Sequence, residues 1–281
     1  MDLDCERRMS MRAGQRVRLI GLPTDSHSSF LRGAAGAPAA IRAALESDHS
    51  NRATESGDEL GIGIAFEDAG DLPLREDGGD PALISDAVEA AAREGAVPLC
   101  LGGDHMVSFP ILAGLARVHG PVSILHFDAH PDLYDSFEGN RLSHACPFAR
   151  VMEDGLAARL VQVGIRAATA HQREQARRFG VETVFMDAFS VDAVPVLDGP
   201  LYVTIDLDGL DPAFVPGVAH PEPGGLTVRE VLAVMRRMRG PIVGADVVEL
   251  NPQRDPLGLT AAVAAKLVKE LAALAAGRNE G

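Results

Sequence analysis

The chain has 281 residues, with 26 Lys+Arg against 40 Asp+Glu and a formal net charge of −14. That acidic excess argues against nucleic acid or an anionic membrane as partner, since both attract basic surfaces, and it suits a small cationic substrate. No apolar run approaches the ~20 residues of a membrane span, and the three cysteines, Cys5, Cys100 and Cys146, fit a reducing cytoplasm rather than a disulfide scaffold.

Residues 1–15 are charged and lack the apolar core of a secretory signal, so they are expected to form a flexible leader. Residues 17–22 read as a first buried strand. Residues 37–45 read as a helix with Pro38 in its first turn. Residues 47–60 are polar and are expected to be a surface loop without chemistry. Helical spacing then covers 81–94, 107–118, 228–238 and 261–276. Apolar strand runs cover 97–101, 122–127, 160–165, 201–205 and 242–248. Continuous apolar strands alternating with helices predict an α/β fold whose parallel sheet is covered on both faces. No repeat or composition shift divides the chain, so residues 16–281 are expected to form one domain.

Four of the strand runs lead directly into ligand-type residues. They are followed by Gly102-Gly103-Asp104-His105, by Asp128-Ala129-His130-Pro131-Asp132, by Asp206-Leu207-Asp208, and by Asp246-Val247-Val248-Glu249-Leu250-Asn251-Pro252. Ligands of open α/β sheets bind outside the carboxyl ends of the strands, so these clusters should converge on one rim. In an extended segment, residues i, i+2 and i+4 share a side, which groups Asp128, His130 and Asp132. Any one cluster alone reads as a turn or a helix start; Asp104, for instance, is a natural helix cap. Together they gather carboxylates with no Lys or Arg among them, and burying those requires counter-charge. Divalent cations supply it, and an oxygen-rich donor set with two imidazoles suits Mn²⁺.

In this order, the motifs resemble those of the arginase/agmatinase ureohydrolases. The plant-type arginase branch is the nearest match, through Ser28-Ser29-Phe30-Leu31-Arg32-Gly33, Phe137-Glu138-Gly139-Asn140, Ser143-His144-Ala145 and residues 212–220 and 244–255. The resemblance runs from about Leu19 to the C-terminal helix. It implies a three-layer α/β/α sandwich with a mainly parallel eight-stranded sheet, assembled as a homotrimer or homohexamer. It also implies two Mn²⁺ per subunit. His105, Asp128, Asp132 and Asp206 would hold the first, and His130, Asp128, Asp206 and Asp208 the second, with Asp128 and Asp206 bridging. The implied reaction hydrolyses the guanidino group of L-arginine or agmatine to urea and an amine. Guanidinobutyrate or formiminoglutamate are the alternatives within the family, and a metal hydrolase acting on a non-guanidino substrate is the alternative outside it. Asp128 would relay a proton, His144 would shuttle one, and Glu249 would orient the guanidinium. Asn140, Ser143 and His220 are candidates for contacting the rest of the substrate. Arg141 could join them as a donor, with Asp135 or Glu138 supplying an acid for an ammonium group. Two positions depart from the wider family: Met106 replaces a small hydroxyl residue beside His105, and His220 replaces the usual Thr. Cys146 reads as a bystander thiol.

Overall fold

A computed structural model describes residues 15–277. The leader expected over residues 1–15 therefore falls, but for Gln15, outside the described residues. Eight strands form one sheet: β1 (Arg16–Gly21), β2 (Phe66–Asp71), β3 (Ala96–Leu101), β4 (Val122–Phe127), β5 (Ala157–Ile165), β6 (Glu182–Phe185), β7 (Leu201–Asp206) and β8 (Ile242–Val248). Their order across the sheet is β2-β1-β3-β8-β7-β4-β5-β6, and every neighbouring pair is parallel.

The period-two alternation of the strands builds two cores, one on each face. Val17, Leu19, Leu99, Leu101, Leu125, Val203 and Val247 point to one side. There they meet helices α1 (Ala37–Leu45), α6 (Val228–Arg236) and α7 (Leu259–Ala275). Ile20, Cys100, Ile124, Tyr202 and Val248 point to the other. They pack on α2 (Asp80–Arg93), α3 (Ser108–His119) and α4 (Pro147–Glu153), with Ala176 and Phe179 of α5 (Ala170–Phe179) at the margin. The result is the expected three-layer α/β/α sandwich, and its sheet is parallel throughout.

The structure adds four elements that the periodicity did not single out. Both edge strands are among them. β2 reads Phe-Glu-Asp-Ala-Gly-Asp and buries almost nothing; charge of this kind protects an open edge from pairing with another chain. Its acids bind Arg18 and Arg42 instead. α5 is polar apart from Ala170, Ala176 and Phe179. Its start is fixed by a reciprocal capping box between Thr169 and Gln172, and its end by Gly180 in the left-handed region. α4 is a short helix of seven residues. The stretch 47–60 is largely irregular, yet Leu60 is buried and Glu55 anchors a charge network.

Candidate metal centre

The four ligand-bearing segments follow β3, β8, β7 and β4, which are adjacent in the centre of the sheet. Their carboxyl ends therefore bring all four clusters to one place. Two glycines make the approach possible. A Cβ on Gly103 would stand 1.7 Å from the Thr24 carbonyl oxygen, and one on Gly209 would stand 2.7 Å from the Asp128 nitrogen. Asp132 and Glu249 take positive φ values of 51° and 69°. Non-glycine residues hold that region at a cost of about 1–3 kcal/mol each, and such strain concentrates at functional sites.

Two groups of donors emerge. His105, Asp128, Asp132 and Asp206 form one, and Asp128, His130 and Asp208 form the other, with Asp128 common to both. In the first, His105 Nδ1 lies 3.3 Å from Asp128 Oδ2, 3.1 Å from Asp132 Oδ2 and 3.2 Å from Asp206 Oδ2. This nitrogen is buried and makes no hydrogen bond. The opposite nitrogen, Nε2, lies 3.0 Å from the Thr204 hydroxyl. With Nε2–H donated to Thr204, the Nδ1 lone pair is directed at the focus of three carboxylates, as a cation ligand requires. In the second group His130 Nδ1 is 3.5 Å from Asp128 Oδ1 and 3.1 Å from Asp208 Oδ2. Asp206 belongs to the first group only. Its Oδ1 accepts the Asp208 backbone N–H at 2.8 Å.

The electrostatics support a cation there. Burial, Asp208 and Asp128 push Asp206 far above the usual carboxylate range. Burial and Asp128 raise Asp132 to about 6. Asp208 is also raised, mainly by burial. Against burial, Asp128, Asp132 and Asp206 drive His105 well up, and Asp208 and Asp128 drive His130 to about 12. Protons thus take the place of positive charge in this cluster, and a divalent ion would displace them on binding.

Beyond these groups lies a cavity of about 300 Å³, within the range of small-molecule sites. His130, Asp132, Asp206 and Asp208 line its floor; His144, Glu249, His220 and Ser29 line one wall, and Tyr134 and Phe137 its rim. Glu249 Oε1 accepts from the His105 backbone N–H at 2.9 Å and from His144 Nδ1 at 2.8 Å, which leaves Oε2 for a ligand. Burial opposes the charge on His144, but Glu249 and then Asp132 outweigh it and lift its pKa to about 9. His220 packs 5.2 Å from the His144 ring and 5.6 Å from Phe30.

Asn140 and Ser143 do not line the cavity. Asn140 is exposed and its side-chain oxygen accepts from Leu142 N–H; Ser143 is buried, 3.4 Å from the Ala145 nitrogen. Arg141 pairs with Glu153, Asp135 pairs with His171, and Glu138 is exposed. Asp104 caps the turn at His105 by accepting from Met106 N–H. Met106 lines a separate cavity with His27 and Phe109. Cys146 is buried, and burial with Asp132 lifts its thiol to about 11.

Four supporting residues were given no role by the sequence reading. His126 Nε2 lies 2.8 Å from Asp128 Oδ2, while Gln162 Nε2 donates to His126 Nδ1 at 3.0 Å and to the Pro131 carbonyl at 2.6 Å. Gln162 thereby makes Nδ1 an acceptor and aims Nε2–H at Asp128. Thr204 does the equivalent for His105, and Ser29 contacts His144 Nε2. His126 carried a signal, two residues before Asp128 on the same side of a strand. Thr204 carried none, and Ser29 stood in the family-like stretch Ser28 to Gly33 with no hint of this contact, because their partners come from distant segments.

Residues 15–273 match the model of the Arginase family. The chain is similar to Arginase 1, mitochondrial, of Arabidopsis thaliana, at 49% identity over 91% of this chain and 80% of the relative. It is also similar to Arginase 2, chloroplastic/mitochondrial, of the same plant, at 47% identity over 91% and 79%. Among solved structures, the arginase from Medicago truncatula superposes with a TM-score of 0.88 at 44% identity, covering 97% of this chain and 91% of that one. The organelle labels of these relatives overturn the expectation of a cytoplasmic protein. Sparse cysteines, of which Cys100 and Cys146 are free, report a reducing environment and not an address. Family model, plant relatives and superposed structure agree with the motifs at the strand ends: the chain belongs to the arginase family, hydrolases acting on guanidino compounds.

Proposed function

We propose that the chain is a dimanganese ureohydrolase that converts L-arginine to urea and ornithine. The observation that carries the metal assignment is the His105 Nδ1 atom, buried without a hydrogen bond at the focus of three carboxylates. His105, Asp128, Asp132 and Asp206 would hold one ion, and Asp128, His130 and Asp208 the other, with Asp128 bridging. A divalent pair supplies Lewis-acid activation of water near neutral pH. The chain's own groups do the rest. Glu249 offers Oε2 to the planar guanidinium, a match of carboxylate to fork-like donors. His144 presents Nε2 on the cavity side and carries a proton between the site and the leaving amine, which must depart protonated.

The names of the plant relatives favour L-arginine over agmatine. Residues 16–281 would act as one catalytic domain, and the family likeness implies a homotrimer or homohexamer, which sedimentation velocity tests. The deciding experiment is urea release from L-arginine, agmatine, 4-guanidinobutyrate and guanidine, with Mn²⁺ or with chelator. Mn²⁺-dependent urea from L-arginine is expected. Urea from agmatine alone moves the substrate to the decarboxylated amine. No urea from any of the four, at full metal loading, rejects the ureohydrolase reading.

A further inference from the structure

His144 is bonded at both ring nitrogens. Nδ1 faces Glu249 Oε1 at 2.8 Å. Nε2 is met twice by a single residue, by the Ser29 backbone N–H at 3.2 Å and by the Ser29 hydroxyl at 2.8 Å. The two ends of the ring are therefore not equivalent. A carboxylate only accepts, so Nδ1 carries the hydrogen there. A backbone N–H only donates, so Nε2 is an acceptor, and the hydroxyl completes the pair as a second donor.

The loop that brings Ser29 is itself held firmly. His144 N–H donates to the His27 carbonyl at 3.0 Å, which fastens the loop after β1 to the His144 segment. Asp25, from the same loop, is buried and accepts from the Gly33 and Ala35 N–H groups and from Arg32. Ser29 is exposed at the cavity wall, whereas His144 is buried.

The geometry points to Ser29 as the positioning residue of His144: its hydroxyl and backbone N–H hold Nε2 as an unprotonated acceptor and fix the ring proton at Nδ1, against Glu249. This deepens the proposed function, because it rests on His144 being the proton carrier. The groups facing the ring divide into two sets. Glu249 at the end of β8, Asp132 after β4 and Asp104 after β3 favour the imidazolium. Burial and the neighbouring rings of His27 and His220 oppose it. Ser29 adds its backbone N–H to the opposing set, because that group can only donate. When a proton arrives at Nε2, the hydroxyl rotates to accept from the new N–H and the Ser29 backbone N–H loses its partner. No other bond changes. Nε2 thus releases its proton more readily than the paired carboxylate alone would allow.

Ser29→Ala removes the hydroxyl and keeps the backbone N–H, at an exposed position where folding is not at stake. Loss of one such hydrogen bond is expected to lower kcat for urea release about 3- to 10-fold. KM should stay within about twofold, since the substrate contacts are untouched. The pH limb on which His144 loses its proton should hold its place, because the hydroxyl bonds either form of the ring and the backbone N–H is kept. Ser29→Thr, which restores a hydroxyl, should recover most of kcat. A second measurement needs no turnover: ¹⁵N NMR of histidine-labelled full chain, loaded with diamagnetic Zn²⁺. It should place the proton of neutral His144 on Nδ1 and show the Nε2 resonance of the neutral ring displaced in Ser29→Ala, where the hydroxyl donor is gone. A wild-type ring protonated at Nε2 overturns the proposal. So does a Ser29→Ala chain with unchanged kcat and an unchanged Nε2 resonance, or a Ser29→Thr chain as impaired as Ser29→Ala. Wild-type protein that releases no urea, but shows the Nδ1 proton and the Ser29→Ala shift, keeps the placement of Ser29 and rejects the functional reading.

Discussion

The two donor groups share Asp128 but differ in depth and in origin. The inner group draws His105 from the turn after β3, Asp128 and Asp132 from the end of β4, and Asp206 from β7. His105 and Asp128 are completely enclosed. The outer group uses His130 and Asp208 from the segments after β4 and β7, and the His130 side chain is 28% exposed to the cavity. The inner group is therefore part of the packed sheet rim, with each donor oriented by a neighbour such as Thr204 or His126. In the outer group it is His130 that opens to the cavity, while Asp208 is as buried as the inner acids. An ion in the first should exchange slowly and one in the second quickly.

The largest effect should come from the residue the two groups have in common. Asp128→Asn is expected to abolish stable binding of both ions and to cut turnover by more than about 100-fold, since even groups that only support ligands are worth 10–100-fold in affinity. Metal analysis after gel filtration checks this. Retention of two ions per chain would break the shared-ligand arrangement. His130→Asn sharpens the comparison from the other side. It should leave one tightly held ion per chain and remove the other, and graded chelation of the unaltered protein should strip the ions in two steps. Loss of both ions together in His130→Asn would show that the groups are not separable.

A smaller effect is expected from behind the inner group. His126→Phe keeps a ring to stack on Phe148, whose centroid is 4.1 Å away, but removes the donor to Asp128. Mn²⁺ affinity should weaken about 10- to 100-fold, as for other groups that orient metal ligands. Titration calorimetry reads this directly. Gln162→Leu, which releases the His126 tautomer, should act in the same direction and more weakly. Unchanged affinity in both variants would remove His126 from the support of Asp128.

The inner group was also the more legible from sequence, for a physical reason. Its donors sit where long apolar strands stop, and such strands announce themselves by composition. The central strands β3, β4, β7 and β8 were read within one or two residues, and the rim followed from them. What escaped notice depends on distant pairing. Thr204 supports His105 only because β7 lies beside β8 and near β3. Ser29 reaches His144 across 115 residues. The edge strand β2 carries Glu67, Asp68 and Asp71 in six residues and looks like a loop until β1 pairs with it. Asn140, singled out by a motif of the loop, is exposed, and its side-chain oxygen accepts from the Leu142 N–H.

The smallest effect lies outside both groups, where the charge network around Glu55 ties the segment after α1 to α6 and α7. Arg229 at 2.7 Å holds Glu55 far below the ordinary value of 4.5; partial burial opposes this, and Arg236 and Lys266 assist, bringing it to about 2. A carboxylate depressed in the folded chain stabilises it above its unfolded pKa and loses that contribution as pH falls through the folded value. The contribution should thus be complete above pH 4.5 and disappear between about 4.5 and 2. The pairs are partly exposed, so screening limits the stabilisation to the order of 1 kcal/mol. Glu55→Gln should lower the thermal midpoint slightly at pH 7 and flatten its dependence on pH between about 4.5 and 2. Metal content at pH 7 should not change, because neither donor group touches this network. A Glu55→Gln chain that lost the outer ion would tie this network to the rim, and the depth of burial would no longer account for the difference between the two groups.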